Sequence, residues 1–218
     1  MKTGLLDTSL PTFMETVQPF RELMMYYECA MMEVKTKVEV LDKEFEVKYE
    51  RNPVESIKMR LKRPLSILEK MDTLGLPRKI EYIQDNIHDI AGVRIICSFI
   101  EDIYAIAELL TRQDDITLLR TKDYIKNPKE NGYRSLHLLV EVPIFLSDKK
   151  KPVCVEVQIR TIAMDFWASI EHKIKYKKDI GNLKAITESL RFCADNIASL
   201  DLEMQRIHHQ IEGENPVT

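Results

Sequence analysis

Asp89 stands at the mouth of an apolar, β-branched run, His88 to Phe99, and Glu156 stands inside another, Val153 to Arg160. An unpaired charge in either place is expensive, so each carboxylate implies a partner. One reading is a shared divalent cation, because Mg2+ takes one or two protein carboxylates and completes its octahedron with water and substrate phosphates. The other is a pair of structural carboxylates ion-paired to Arg94 and Arg160. Between the two acids lies the stretch Lys122 to His137, KDYIKNPKENGYRSLH. Its Lys122, Lys126, Lys129 and Arg134 offer cationic donors suited to phosphate oxygens, and Asn127-Pro128 and Asn131-Gly132 are turn signals. Paired acids beside a basic loop suggest phosphoryl-type transfer.

Two familiar phosphate chemistries are excluded. A His88-Asp89 pair of the phosphohydrolase kind needs a histidine upstream, and His88 is the first histidine in the chain. A glycine-loop nucleotide site needs a Walker A or GxGxxG spacing; the chain has 6 glycines and none forms one.

The elements that must position these residues follow from periodicity. Phe13, Val17, Phe20, Met24, Tyr27, Met31, Val34, Val38, Leu41 and Phe45 recur at spacings of four and three, the stripe of an amphipathic helix, with Pro19 placed to start its longer part. Asn52-Pro53 breaks it, and Ile57, Leu61, Leu65 and Leu68 predict a second helix carrying Arg60, Lys62 and Lys70. A short helix runs to about Asn86, a buried strand spans 88–99, a helix with acidic residues in its first turn spans 102–112, and a strand spans 116–120. Tyr133 to Ile144 alternates, with Tyr133, Ser135 and His137 on one face and Leu136, Leu138 and Val140 on the other. Val153 to Arg160 repeats this, Val155, Val157 and Ile159 inward, Glu156, Gln158 and Arg160 opposite. Two strands with polar faces predict a cleft on that side of the sheet. Ile162 to Lys177 reads as a helix, and Leu183, Ile186, Leu190, Cys193, Ile197, Leu200, Met204, Ile207 and Ile211 form a second heptad-like stripe, for packing on the first or on a copy of the chain. The tail from Gly213 is expected to fray.

Composition sets outer bounds. The chain has 218 residues, enough for a proper core in one domain, with a formal net charge of -3, so anion binding must come from local clusters. The four cysteines, Cys29, Cys97, Cys154 and Cys193, lack metal or redox spacing and read as reduced, mostly buried thiols of a cytoplasmic protein. No run suits a membrane span or an export signal.

Four segments in order, Asp89-Ile90-Ala91-Gly92-Val93-Arg94, Arg120-Thr121-Lys122-Asp123-Tyr124-Ile125, Asn131-Gly132-Tyr133-Arg134-Ser135-Leu136-His137 and Glu156-Val157-Gln158-Ile159-Arg160-Thr161, resemble the synthetase domain of the RelA/SpoT family. The helix Ala163 to His172 extends the match, which spans about residues 50 to 180. The absence of hydrolase and regulatory segments makes the chain resemble a stand-alone small alarmone synthetase, nearest the RelP type. The resemblance implies a mixed α/β (α+β) fold of the nucleotidyltransferase kind, with a mostly antiparallel sheet of about five strands and long terminal helices. It is read as a single synthetase domain over 1–218, with 12–50 and 181–212 as flanking, oligomerisation helices.

It also implies transfer of the β,γ-pyrophosphate of ATP to the ribose 3'-hydroxyl of GTP or GDP. Asp89 and Glu156 would then hold Mg2+, with Glu156 placed to accept the hydroxyl proton and His137 in the catalytic set. Arg60 and Arg94 would sandwich the adenine, and Lys62, Ser66, Lys70, Lys122, Lys129 and His137 would grip phosphates. Tyr133 would stack on guanine, Glu171 would read its Watson-Crick edge, and Gln158 and Asp165 would lie on the guanine-nucleotide side. Asp165 stands where another small type carries a guanine-contacting asparagine. Arg120-Thr121-Lys122-Asp123 matches the basic form of a motif that other relatives carry in acidic form. A homotetramer is the expected assembly, and RNA binding is not indicated. A binding protein without turnover and a nucleotidyltransferase are the competing readings.

Overall fold

The computed structural model describes residues 9–175 and 183–214. The first apolar stripe forms one long helix, α1 (Ser9–Tyr49), which buries Leu23, Tyr27, Ala30, Met31, Val34, Val38 and Leu41 against the sheet. Pro19 lies inside this helix and does not start it. The turns on both sides of the proline carry the helix across the one missing N–H. The side chains of Phe13 and Val17 fall outside the described ones.

The second expected helix is instead a strand followed by a helix: β1 (Val54–Leu61) and α2 (Pro64–Thr73). The evenly spaced Ile57, Leu61, Leu65 and Leu68 straddle the junction and imitate one helical stripe. The signal against that reading is Pro64, whose ring forces the preceding residue out of the helical region. Arg63 is accordingly extended, at φ -66° and ψ 144°.

The short helix α3 (Ile80–Asn86) leads into β2 (Ala91–Cys97), then α4 (Ile100–Thr111), β3 (Thr117–Asp123), β4 (Leu136–Phe145), β5 (Lys150–Thr161), α5 (Ile162–Lys175) and α6 (Leu183–Glu214). At the start of α4 the Asp102 carboxylate accepts from the Phe99 N–H at 3.2 Å, which satisfies a donor the helix itself leaves unpaired. The sheet order is β1-β2-β5-β4-β3, with β2 and β5 parallel and every other pair antiparallel. This is the mixed, mostly antiparallel five-stranded sheet that was expected. Helices α1 and α4 cover one face. On the other face α5 and the loop before β4 close over Arg160, and the rest carries mainly polar residues of the strands.

Among the described residues, α1 and α6 form no extensive contact with each other. Helix α6 lies on α5 and α4, and a second small core of Trp167, Ala168, Leu190 and Ala194 forms there, with the Trp167 indole N–H donating to Leu190 O at 2.9 Å. Of its stripe, Leu190 is buried and Ile186 and Ile197 half-buried, while Cys193, Leu200, Met204, Ile207 and Ile211 are exposed. The frayed tail expected from Gly213 begins no earlier than the end of α6 at Glu214, and residues 215–218 lie outside the described ones, as do 176 and 177 of the helix read to Lys177. Of the four cysteines only Cys97 is buried, and Cys193 is exposed.

Candidate active site

The strand register gathers the chemistry. Residues paired across strands point to the same side of a sheet, and one straight row crosses all five strands: Lys58 on β1, Arg94 on β2, Gln158 on β5, His137 on β4 and Lys122 on β3. The next row on the same face holds Arg60, Gly92, Glu156, Leu139 and Arg120. Reading residues 54–61 as a helix concealed Lys58, whose place in the row follows only from a strand.

Two clefts open on this face, each of about 270 Å3, and Asp89 and Glu156 line both. The first is walled by Lys58, Arg60, Lys62 and Arg94, with Gln158 and Gly92 between the two carboxylates and the arginines. The second is walled by Lys70, Arg120, Lys122 and His137, with His88 and Asn86 at one side. Each cleft is therefore cationic around a shared acidic centre, as two polyphosphate substrates meeting at one reaction centre require. Lys58, Asn86, His88 and Arg120 were not foreseen as lining residues.

The acids are not paired as the structural alternative had them. Asp89 takes Lys62 at 3.0 Å and Lys70 at 2.7 Å, while Arg94 and Arg160 both turn to Asp165, at 3.3 and 3.2 Å. Burial by itself would raise the Asp89 carboxyl, but the ammonium groups of Lys70 and Lys62 outweigh it and hold Asp89 below the usual aspartate value. Burial likewise pushes Glu156 up, and its contacts with His137 and Gln158 more than offset this. Both are ionised at neutral pH.

Lys70 approaches Asp89 Oδ1 closely but off the line of a hydrogen bond, so this buried oxygen has no directed donor. Two ionised carboxylates, one with an oxygen that takes no hydrogen bond and is faced only by a mobile lysine ammonium, fit a hard divalent cation. No group of three or more His, Cys, Asp or Glu side chains placed to hold a metal ion occurs among the described residues, and two carboxylates are the number a Mg2+ ion completed by water and substrate phosphates takes.

Tyr133 belongs to the loop before β4, not to the strand; its hydroxyl lies 2.8 Å from His137 Nε2, and the Lys129 ammonium sits 4.8 Å from the centroids of both the Tyr133 and Tyr124 rings. Glu171, on α5, accepts from the Asn131 side-chain amide at 3.0 Å, so it adjoins the same loop. Asp165 is buried and held by Arg160, Arg94 and Lys58. Ser66, half-buried in the first turn of α2, lines neither cleft. Ser135 and Arg160, read as cleft-facing, are buried, the Ser135 hydroxyl donating to Ile159 O at 3.2 Å.

The loop's shape is set by its turn residues and by α6. Asn131 Oδ1 accepts from the Tyr133 N–H at 3.2 Å, Gly132 adopts φ +87°, and Arg134 donates to Ala194 O at 3.2 Å and to Asp195 at 3.1 Å. A side chain at 132 would drive into Ala194, so glycine is required there.

Residues 59–181 match the family model described as a region found in RelA / SpoT proteins. The chain is 39% identical to the GTP pyrophosphokinase YwaC of Bacillus subtilis, over 94% of this chain and 98% of that protein. The small alarmone synthetase 2 of the same organism superimposes with a TM-score of 0.78 at 41% identity, covering 88% of this chain and 98% of that one. The small alarmone synthetase 1, bound to its product pppGpp, superimposes with a TM-score of 0.80 at 35% identity, covering 89% and 98%.

Proposed function

The chain belongs to the RelA/SpoT family, and we propose that it is a GTP pyrophosphokinase, moving the β,γ-pyrophosphate of ATP onto the ribose 3'-hydroxyl of GTP or GDP. The observation that carries this reading is the pair of cationic clefts meeting at Asp89 and Glu156. In the first cleft Arg60 and Arg94 take the adenine between their guanidinium planes; Lys62 in that cleft and Lys70 in the second, which both reach Asp89 where the clefts meet, hold the ATP phosphates. In the second, Lys122, Arg120 and His137 hold the phosphates of the guanine nucleotide, with Tyr133 as the platform for its base. Lys129, whose ammonium lies over the Tyr133 ring, and Ser66, one turn before Lys70 on α2, would add phosphate contacts once the nucleotides are bound.

The bond from the 3'-oxygen to the β-phosphorus forms as the bond from that phosphorus to the α,β-bridging oxygen breaks, and AMP leaves with the bridging oxygen. Glu156 takes the hydroxyl proton. Mg2+ held by Asp89 and Glu156 would supply neutralisation of charge on the transferring phosphates. The protein's part is otherwise positioning and fixed positive charge, which lower the barrier to phosphoryl-type transfer more than covalent participation does. The apolar side chains left uncovered on α6 suit assembly from copies of the chain, and the family likeness favours a tetramer.

The test is incubation with Mg2+, β-labelled ATP and GTP, followed by separation of products. Label in a guanosine 3'-pyrophosphate with one AMP per turnover is the expected result. Release of pyrophosphate with AMP joined to an acceptor, or binding without product, would overturn it. Glu156→Gln keeps an acceptor for the Gln158 amide but removes the base and a metal ligand. Turnover should fall at least a hundredfold, about 3 kcal/mol of transition-state stabilisation; near-normal turnover refutes the role given to Glu156.

A further inference from the structure

A closed circuit of side chains joins the base to the guanine platform. Gln158 Nε2 donates to Glu156 Oε2 at 2.9 Å, and Gln158 Oε1 accepts from Arg160 Nη2 at 3.0 Å. The same Nη2 donates to the Tyr133 hydroxyl at 2.6 Å, which meets His137 Nε2 at 2.8 Å, and His137 Nδ1 closes the ring 3.4 Å from Glu156 Oε1.

Arg160 sets the direction of this ring. A guanidinium has only donors, so the Tyr133 hydroxyl accepts from it and has its single hydrogen left for His137. His137 Nε2 is then the acceptor, and its Nδ1–H faces Glu156. Each end of Arg160 is also held: Nε reaches the Ser135 hydroxyl at 3.4 Å, Nη1 reaches Asp165 at 3.2 Å, and the side chain is only 5% exposed. A group so placed touches neither cleft, yet its bonds reach β5, α5 and the loop before β4.

We propose that Arg160 is a positioning residue that, through the Tyr133 hydroxyl and the Gln158 amide, ties the guanine platform to Glu156 and fixes the orientation of both. The proposal rests on the pyrophosphokinase reading. It gives Tyr133 two separable parts, a ring that binds the base and a hydroxyl that orders the catalytic carboxylate. It also makes lysine an inadequate replacement at 160, because one ammonium cannot reach Ser135, Asp165, Gln158 and Tyr133 together.

The experiment is a double-mutant cycle with Tyr133→Phe and Arg160→Lys, measuring kcat, KM for each nucleotide and the melting temperature. Tyr133→Phe should leave KM for the guanine nucleotide within about twofold while kcat falls roughly tenfold, the size of one or two lost hydrogen bonds. Arg160→Lys should lower kcat by a similar factor. The double variant should fall little further than the worse single one, because both break one ring. Losses that multiply, a Tyr133→Phe enzyme with unchanged kcat, or losses that merely track melting temperature would overturn the proposal. Should Arg160→Lys fail to fold, Tyr133→Phe decides alone, since the phenol is half-buried and its ring is retained. A silent wild-type protein overturns the activity and the proposal together, whereas an active wild type with unimpaired Tyr133→Phe overturns the circuit only.

Discussion

Gly132→Ala tests whether α6 shapes the guanine side of the site. At φ +87° an L-residue is strained, by roughly 1–2 kcal/mol. The new β-carbon would also stand 2.5 Å from Ala194 Cβ and 3.3 Å from Arg191 Cα. Neither obstacle is the flexible end of a side chain: one is a β-carbon in the small core around Trp167, the other is helix backbone. Relief requires the loop and α6 to part, and overpacking of this kind costs about 1–3 kcal/mol. The sum is about 2–5 kcal/mol, which for a chain of this size lowers the melting temperature by about 4–20 °C. Parting them also strains the bonds from Arg134 to Ala194 and Asp195, and displaces Tyr133, the next residue. KM for the guanine nucleotide should rise while KM for ATP, whose cleft lies across the sheet, stays put. Adding Ala194→Gly should recover most of the clash, less about 1 kcal/mol for a glycine within a helix. A Gly132→Ala protein within about 0.5 kcal/mol of wild type, with unchanged KM, would refute this account of the loop.

Asp165→Asn removes the anion shared by Arg160 and Arg94. Leaving a buried guanidinium unpaired should cost about 3 kcal/mol in denaturant unfolding and raise KM for ATP through Arg94; a loss confined to the guanine nucleotide would contradict the placement of Asp165. Asp201 on α6 is pushed up by burial, which the bond from the Thr161 hydroxyl and the nearby Arg134 only partly offset. With the folded value raised, its contribution to stability is present below the ordinary aspartate value and lost as pH rises through the folded one. Asp201→Asn should therefore melt higher than wild type at pH 7.5, with the gap closing toward pH 4; an equal or wider gap in acid would contradict the sign.

Much of the sheet was legible because its strands carry their signal locally. The alternation of β5 placed Glu156 and Gln158 opposite Val155 and Val157, as the structure does. What failed was the reading of segments whose meaning depends on distant partners. Residues 54–61 carry helical spacing and become a strand because β2 offers an edge to pair with, and Pro64 keeps the helix from extending backward. Arg160 has the parity of a cleft residue, but α5 and the loop before β4 close over it, so the same alternation that exposed Glu156 misplaced its neighbour. Asp165, expected on the guanine-nucleotide side, is ion-paired to arginines of two strands, the half-buried Arg94 and the buried Arg160, contacts that no local pattern announces.

Gly92 shows where fold and function separate within one row. It stands between Arg60 and Glu156 in the register, without the positive φ that would make glycine obligatory. A β-carbon there would meet only Arg60 O, at 3.4 Å, so the strand itself would admit alanine. A larger side chain, however, would project from the floor of the first cleft, between Arg60 and Glu156. Gly132 is glycine because the backbone and α6 demand it. Gly92 is under no such demand and opens onto the cleft, so a gap in the row, as much as the charges on either side, marks that face of the sheet as the candidate site.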